Sequence, residues 1–163
     1  MINVLMVAPV TDLAYAEAEI QSLVNLDGLR VRLVRAPCTT LSIYAAVERV
    51  GHCDWLHVAG HGSEGGVHLD AEMWTAPEIV ATVQSLNCDL VYLNTCDSVH
   101  LVKLISEKTG ADCIANLTEA SDQRAWQSAT HFAIQLLRTN PKAAYMKTVA
   151  NDKAAIYVRS LNG

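Results

Sequence analysis

Short apolar runs alternate along this chain with longer segments of helical periodicity, and this alternation constrains the fold most. Each run is rich in Val, Ile and Leu and has the length of a strand. The predicted strands span residues 2–9, 29–36, 54–60, 88–94, 111–117 and 154–160. Helices are predicted between them at about 12–26, 39–51, 76–86, 98–109 and 121–139, and a small hairpin at 65–74. Because parallel strands need crossover connections, the pattern predicts an α/β three-layer sandwich with a mostly parallel six-stranded sheet and helices on both faces.

Length and composition predict one domain and exclude some partners. A chain of 163 residues that is 51% hydrophobic can bury a sizeable core, so we expect a single domain over residues 1–163. The net charge of -5 and the absence of a Lys/Arg cluster argue against nucleic acid and anionic membrane surfaces as partners. No apolar run approaches the roughly 20 residues of a membrane span, and the first residues do not resemble a signal peptide. The cytoplasm is the expected compartment.

The cysteines divide into two groups by their position in the pattern. An odd number, five, without paired spacing predicts reduced thiols rather than a disulfide framework. The four expected to be ordinary core residues are Cys38, Cys53, Cys88 and Cys113. Cys96 differs because it lies between the end of a predicted strand and the start of a predicted helix.

A histidine occupies the corresponding position after another predicted strand. His61 stands between Gly60 and Gly62, and loops that follow parallel strands gather reactive groups at one edge of the sheet. A cysteine nucleophile needs a thiolate, a histidine that exchanges its proton, and donors for an oxyanion. The helix start near Cys96 favours a negative sulfur, and Gly62 leaves its N–H open to a substrate oxygen. If the third and fourth strands are neighbours, His61 and Cys96 form a workable dyad.

The blocks HVAGHG and LVYLNTCDS resemble a known family of cysteine peptidases. They are similar to the CHAT (caspase HetF associated with TPRs) branch of the caspase-like peptidases of clan CD, which are related to separases. The likeness extends over nearly the whole chain, from VLMVAP near the start to GADCIANLTEASDQRAWQSATHFAIQLL. The caspase signature Gln-Ala-Cys-Arg-Gly is absent, and the histidine lies 35 residues before the cysteine instead of about 50. That departure disfavours a true caspase and leaves the resemblance to CHAT domains intact.

The resemblance implies a fold, an activity and a set of site residues. The fold is a caspase-like sandwich, and the activity is that of a cysteine endopeptidase in a bacterial or phage-related regulatory or defence system. Cys96 is the implied nucleophile and His61 the general acid/base. The amides of Gly62 and Cys96 are the implied oxyanion hole, and Asn94 helps to line the substrate pocket. No metal or cofactor is implied; the expected partners are a protein or peptide substrate and a regulatory protein or a second copy of the chain.

Asp122 has two open roles. It is a possible pocket residue, which would favour basic substrate side chains, or it caps the helix that begins near Ser121. The candidates for orienting His61 are Glu64, Asp70 and Asp97, although a dyad can operate without a third member.

Other functions remain as alternatives. One is a non-catalytic CHAT-like module that docks to a partner, and another is a flavodoxin-like ligand-binding domain in which the histidine and cysteine are incidental. A nucleotide loop is disfavoured because GHGSEGG lacks the lysine and hydroxyl order of a P-loop. His57 lies about 13 Å along the strand from His61, so we expect a hydrogen-bonded strand histidine rather than a metal ligand.

Overall fold

The structure is a computed structural model that describes residues 1–116, 121–149 and 155–159. The strands are β1 (Ile2–Val7), β2 (Leu29–Val34), β3 (Trp55–Ala59), β4 (Gly62–Ser63), β5 (Gly66–His68), β6 (Met73–Thr75), β7 (Leu90–Asn94), β8 (Asp112–Asn116) and β9 (Ala155–Val158). The helices are α1 (Ala16–Val24), α2 (Thr40–Val50), α3 (Ala76–Leu86), α4 (Val99–Thr109), α5 (Asp122–Leu136) and α6 (Pro141–Lys147).

Six of the strands form one twisted layer in the order β2-β1-β3-β7-β8-β9. Every neighbouring pair is parallel except β8 and β9, which run antiparallel. The predicted mostly parallel six-stranded sheet is therefore confirmed. The insert after β3 folds into a separate small antiparallel sheet, β4-β5-β6, which confirms the predicted hairpin and adds a third short strand.

Two hydrophobic cores lie on opposite faces of the main sheet, because successive strand residues point to opposite sides. On one face, side chains of α2, α3 and α4 such as Ile43 and Ile79 pack against Leu56 and its neighbours. On the other face, Ile20 of α1 and Phe132 of α5 pack against the alternate strand residues. This arrangement confirms the predicted three-layer sandwich, and it leaves β3 and β7 buried along their whole length.

Two predicted helices differ from the structure. The helix predicted at 12–26 begins only at Ala16, because residues 12–15 form an irregular turn that positions Asp12 near β3. The segment predicted as one helix at 121–139 ends at Leu136, and a further helix, α6, was missed. Asn140 caps α6 by accepting a hydrogen bond from the Ala143 amide at 2.9 Å, and proline follows at the first helical position.

The remaining differences are at strand ends. The strands β1, β2, β3 and β7 are each two residues shorter than the predicted apolar runs. Residues 117, 154 and 160 of the predicted strands lie outside the described residues. No helix in the described part of the chain is long and apolar enough to span a membrane.

Candidate functional site

The two strand ends that carry the predicted dyad are adjacent. β3 and β7 pair in parallel from Trp55 opposite Leu90 to Ala59 opposite Asn94. The loops after these strands therefore leave the same edge of the sheet side by side. The structure thus confirms the neighbouring strands that the dyad requires.

A cleft of about 230 Å³ lies at this edge, and both His61 and Cys96 line it. The two residues are 35 positions apart in the chain, so only the parallel pairing brings them together. The other residues of the wall come from α1 and the turn before it, from α5, and from the ends of β3, β7 and β8 and the residues just after them: Leu13, Ala16, Glu19, Ala59, Gly60, Asn94, Thr95, Asn116, Asp122 and Ala125.

Gly62 packs directly against the backbone of the cysteine loop. A Cβ atom at this position would lie 2.5 Å from the Cys96 carbonyl oxygen and 2.7 Å from the Thr95 hydroxyl. Both distances are far below van der Waals contact, and the carbonyl belongs to the backbone and has little freedom to move. Glycine is therefore required here by the close approach of the two loops, and not by a left-handed backbone conformation, because Gly62 has no positive φ.

A tight turn presents Cys96 between β7 and α4. Asp97, the next residue, has φ 51°, a left-handed conformation that aspartate tolerates better than most residues. The Ser98 hydroxyl donates a hydrogen bond to the Thr95 carbonyl at 3.0 Å and holds the turn closed. Cys96 is partly exposed, whereas the other four cysteines are buried.

His61 is held by a carboxylate that the sequence reasoning missed. Its Nε2 lies 2.8 Å from Oδ1 of Asp12, which follows β1 at the same edge of the sheet. The hydrogen bond with His61 lowers the pKa of Asp12 below its usual range. The three expected candidates do not provide this contact: Asp70, for example, accepts hydrogen bonds from the Val10 and Cys38 amides. The only sign of this contact in the sequence is position. Asp12 follows the first predicted strand, as His61 follows the third and Cys96 the fourth.

Beneath the cleft lies a buried polar network centred on Glu19 of α1. The His57 Nε2 atom is 2.6 Å from Glu19 Oε1, and His57 is 0% exposed. Asn94 donates from Nδ2 to both Glu19 carboxylate oxygens at 2.9 Å, and its Oδ1 accepts a hydrogen bond from Asn116 at 3.1 Å. His57 is therefore the hydrogen-bonded strand histidine expected from the sequence, and Asn94 contributes to the floor of the cleft.

Asp122 lines the cleft and does not cap its helix. Ser121 is the capping residue, whose hydroxyl accepts a hydrogen bond from the Arg124 amide at 3.4 Å. The Asp122 carboxylate accepts a hydrogen bond from the Tyr15 amide at 2.6 Å, so it joins the start of α5 to the start of α1. Of the two roles left open by the sequence, the structure supports a place in the cleft wall.

The cleft contains no evident metal-binding group. Among residues 1–116, 121–149 and 155–159, no set of three or more His, Cys, Asp or Glu side chains could hold a metal ion. The chemistry available at this site is that of a thiol, an imidazole, carboxylates and backbone amides.

Comparisons with known proteins identify no family. No protein-family model matches the chain, and no curated protein matches its sequence. Among solved structures, the chain is similar to the Trp repressor binding protein from Bacillus subtilis, with 9% sequence identity and a TM-score of 0.41. That similarity covers 79% of this chain and 97% of the other. Function is therefore inferred from the side chains of the cleft.

Proposed function

We propose that this protein is a cysteine endopeptidase of the caspase-like type, which hydrolyses a peptide bond through an acyl-enzyme on Cys96. The observation that carries the proposal is that His61 and Cys96 line one cleft at the carboxyl ends of adjacent strands. A thiol nucleophile beside an imidazole, in a cleft open to solvent, is the minimum that such chemistry requires.

The reaction begins when His61 accepts the proton of the Cys96 thiol. The thiolate attacks the scissile carbonyl carbon, and the amides of Gly62 and Cys96 stabilise the resulting oxyanion. His61 then gives its proton to the leaving amine, which departs as the C–N bond breaks. Water, deprotonated by His61, hydrolyses the thioester and restores the thiol. With Nε2 of His61 facing Asp12, Nδ1 is the nitrogen that remains for proton exchange with the sulfur.

The walls of the cleft favour a cationic substrate side chain before the scissile bond. Two carboxylates, Asp122 and Glu19, line the cleft together with the amide of Asn94. Glu19 is engaged by His57 and Asn94, so Asp122, which is only partly buried, is the carboxylate better placed to meet a charged ligand. A lysine or arginine side chain at this position of the substrate would form an ion pair with the Asp122 carboxylate.

We propose that the protein acts in the cytoplasm and that a partner protein or a second copy of the chain regulates it. An odd number of cysteines without paired spacing supports a reducing compartment.

A peptide-library digestion tests the proposed activity. Purified wild-type protein, Cys96→Ala and Asp122→Asn are incubated with the same library, and the new termini are identified by mass spectrometry. We expect cleavage after lysine or arginine by the wild type, none by Cys96→Ala, and a loss of this preference of about tenfold in Asp122→Asn. A library left intact by the wild type, or cut equally well by Cys96→Ala, would contradict the proposal and favour the interaction module.

A further inference from the structure

A second pair of reactive side chains lies at the opposite edge of the sheet. Cys53 precedes β3 and Cys88 precedes β7, and their sulfur atoms are 3.7 Å apart. Cys53 is 0% exposed and Cys88 is 6% exposed. Their burial confirms the ordinary core positions expected from the sequence, but the contact between the two sulfur atoms was not expected.

The pairing of β3 with β7 brings the segments that carry the two cysteines side by side. Trp55 pairs with Leu90 across β3 and β7, and the same offset of 35 residues separates Cys53 from Cys88. The Leu90 amide donates a hydrogen bond to the Asp54 carbonyl at 3.2 Å, so backbone hydrogen bonding between the two segments extends to Asp54, one residue before β3. Neighbouring strands lie about 4.8 Å apart, inside the range of about 4.4–6.8 Å for the Cα atoms of a disulfide. The sulfur atoms, 3.7 Å apart, must approach to about 2.05 Å to form the bond.

We propose that Cys53 and Cys88 form a reversible intrachain disulfide when the protein meets a hydroperoxide. In the first step the Cys53 sulfur attacks one peroxide oxygen, the O–O bond breaks, and Cys53 becomes a sulfenic acid as hydrogen peroxide is reduced to water. In the second step the Cys88 sulfur attacks the Cys53 sulfur and expels a second water, which carries away the hydroxyl group and the remaining proton. The two thiols lose two electrons and two protons, and the peroxide accepts them.

The environment of the pair distinguishes its two members. The hydrogen bond with Cys88 lowers the pKa of Cys53, while the same hydrogen bond and burial raise the pKa of Cys88. Cys53 is therefore the first of the two to lose its proton and the sulfur that attacks the peroxide in the first step. Because both cysteines are buried, the peroxide reaches them through a local opening of the fold. By contrast, burial raises the pKa of Cys113, and burial together with Asp70 raises the pKa of Cys38 to about 12.

The disulfide would tie the start of β3 to the start of β7. The closed loop, residues 54–87, contains His61, the small sheet and α3. Cross-linking a loop of this size restricts the unfolded chain strongly, so the oxidised protein should resist unfolding. The strands between the two edges are five residues long, or roughly 17 Å, so the bond lies well away from the cleft.

Peptide mapping tests this proposal on the full chain. The Cys96→Ser variant is used so that peroxide does not oxidise the proposed nucleophile. After treatment with hydrogen peroxide and capping of free thiols with N-ethylmaleimide, digestion with trypsin and Asp-N separates Cys53 in peptide 50–53 from Cys88 in peptide 70–88. We expect these two peptides to be linked, with two hydrogens fewer than their summed mass, and to separate after dithiothreitol.

A stability measurement and a matched variant complete the test. The melting temperature of the oxidised Cys96→Ser protein should rise by roughly 5 °C or more, whereas the Cys88→Ser, Cys96→Ser double variant should show neither the linked peptide nor the rise. Recovery of both peptides capped by N-ethylmaleimide after peroxide would overturn the proposal. Oxidation of Cys53 to a sulfinic acid without a link to Cys88 would overturn it as well. Neither result depends on whether the protein is a peptidase.

Discussion

His61 Nε2 and Asp12 Oδ1 lie 2.8 Å apart, although 49 residues separate them in the chain. The contact joins the loop after β1 to the loop after β3, two neighbouring strands of the sheet. Together with Cys96 after β7, it places a carboxylate, an imidazole and a thiol along three successive strand ends. Asp12 does not line the cleft itself, so we regard it as a positioning residue for His61.

Replacing Asp12 should impair turnover without weakening substrate binding. In Asp12→Asn the charge that orients the imidazole is lost, and we expect kcat to fall by about threefold to tenfold while KM stays within about twofold. The small size follows from the exposure of the pair, since the Asp12 side chain is 90% exposed. Steady-state kinetics on a peptide found by library digestion gives both constants.

Two further variants separate positioning from general charge effects. Asp12→Glu keeps the carboxylate and should recover most of the lost kcat. Glu64→Gln removes an exposed carboxylate three residues from His61 and should leave both constants unchanged. Equal losses in Glu64→Gln and Asp12→Asn would show that the contact with His61 has no specific role.

Gly62→Ala should damage both the fold and the proposed oxyanion hole. The new methyl group would meet the Cys96 carbonyl at 2.5 Å, which forces the two loops apart. We expect the free energy of unfolding in urea to drop by about 2 kcal/mol. Gly65→Ala is the matched control, because a Cβ there meets nothing within 4 Å. A Gly62→Ala protein as stable as Gly65→Ala would contradict the close packing of the two loops.

Removal of the Glu19 carboxylate should be costly because it leaves buried partners behind. Glu19 is only 4% exposed, so Glu19→Ala would leave His57 and the Asn94 amide buried without this hydrogen-bond acceptor. We expect a loss of about 3 kcal/mol or more in the free energy of unfolding, measured by urea denaturation. Glu17→Ala, on the same helix, removes an exposed ion pair with Arg35 and an exposed hydrogen bond from Gln21, and should cost far less than Glu19→Ala. Similar losses in both variants would argue against the buried network.

The start of α3 should contribute to stability in a pH-dependent way. Hydrogen bonds from the Thr75 amide and then from its hydroxyl lower the pKa of Glu78 below 4.5. A lowered pKa means that Glu78 stabilises the fold above about pH 4.5, and that this contribution disappears as the pH falls through the lower folded value. In Glu78→Gln we expect the difference in unfolding free energy between neutral and acidic pH to shrink by roughly 0.5 kcal/mol. An unchanged pH dependence would contradict this.

The layered fold could be predicted from local sequence patterns. Strand-length apolar runs and helical periodicity indicate which residues are buried. The closeness of His61 after β3 and Cys96 after β7 could also be predicted, because the carboxyl ends of parallel strands meet at one edge of the sheet. Asp12 was hidden within a predicted helix, as nothing in its neighbours marks the later start at Ala16. Glu19 was hidden for another reason: a carboxylate on a helix is usually exposed, and only the buried partners His57 and Asn94 explain its inward position.

The helix α6 shows what a local signal could have added. Asn140 followed by Pro141 is a capping residue with proline at the first helical position, a pair that predicts the start of a helix as well as the end of the preceding one. The contact between Cys53 and Cys88 had no such signal, because it depends on the register of two strands rather than on either sequence alone.

Selective alkylation of Cys96 tests the central claim most directly, because it requires no knowledge of the substrate. At about pH 6 an ordinary thiol is only about 0.3% thiolate, so iodoacetamide labels it slowly. Cys96 is partly exposed and the other four cysteines are buried, so peptide mapping of the native protein measures the alkylation rate of Cys96 separately. We predict that Cys96 is labelled first in the wild type and at least about tenfold more slowly in His61→Ala. Equal rates at Cys96 in the two proteins would contradict the pairing of this thiol with His61.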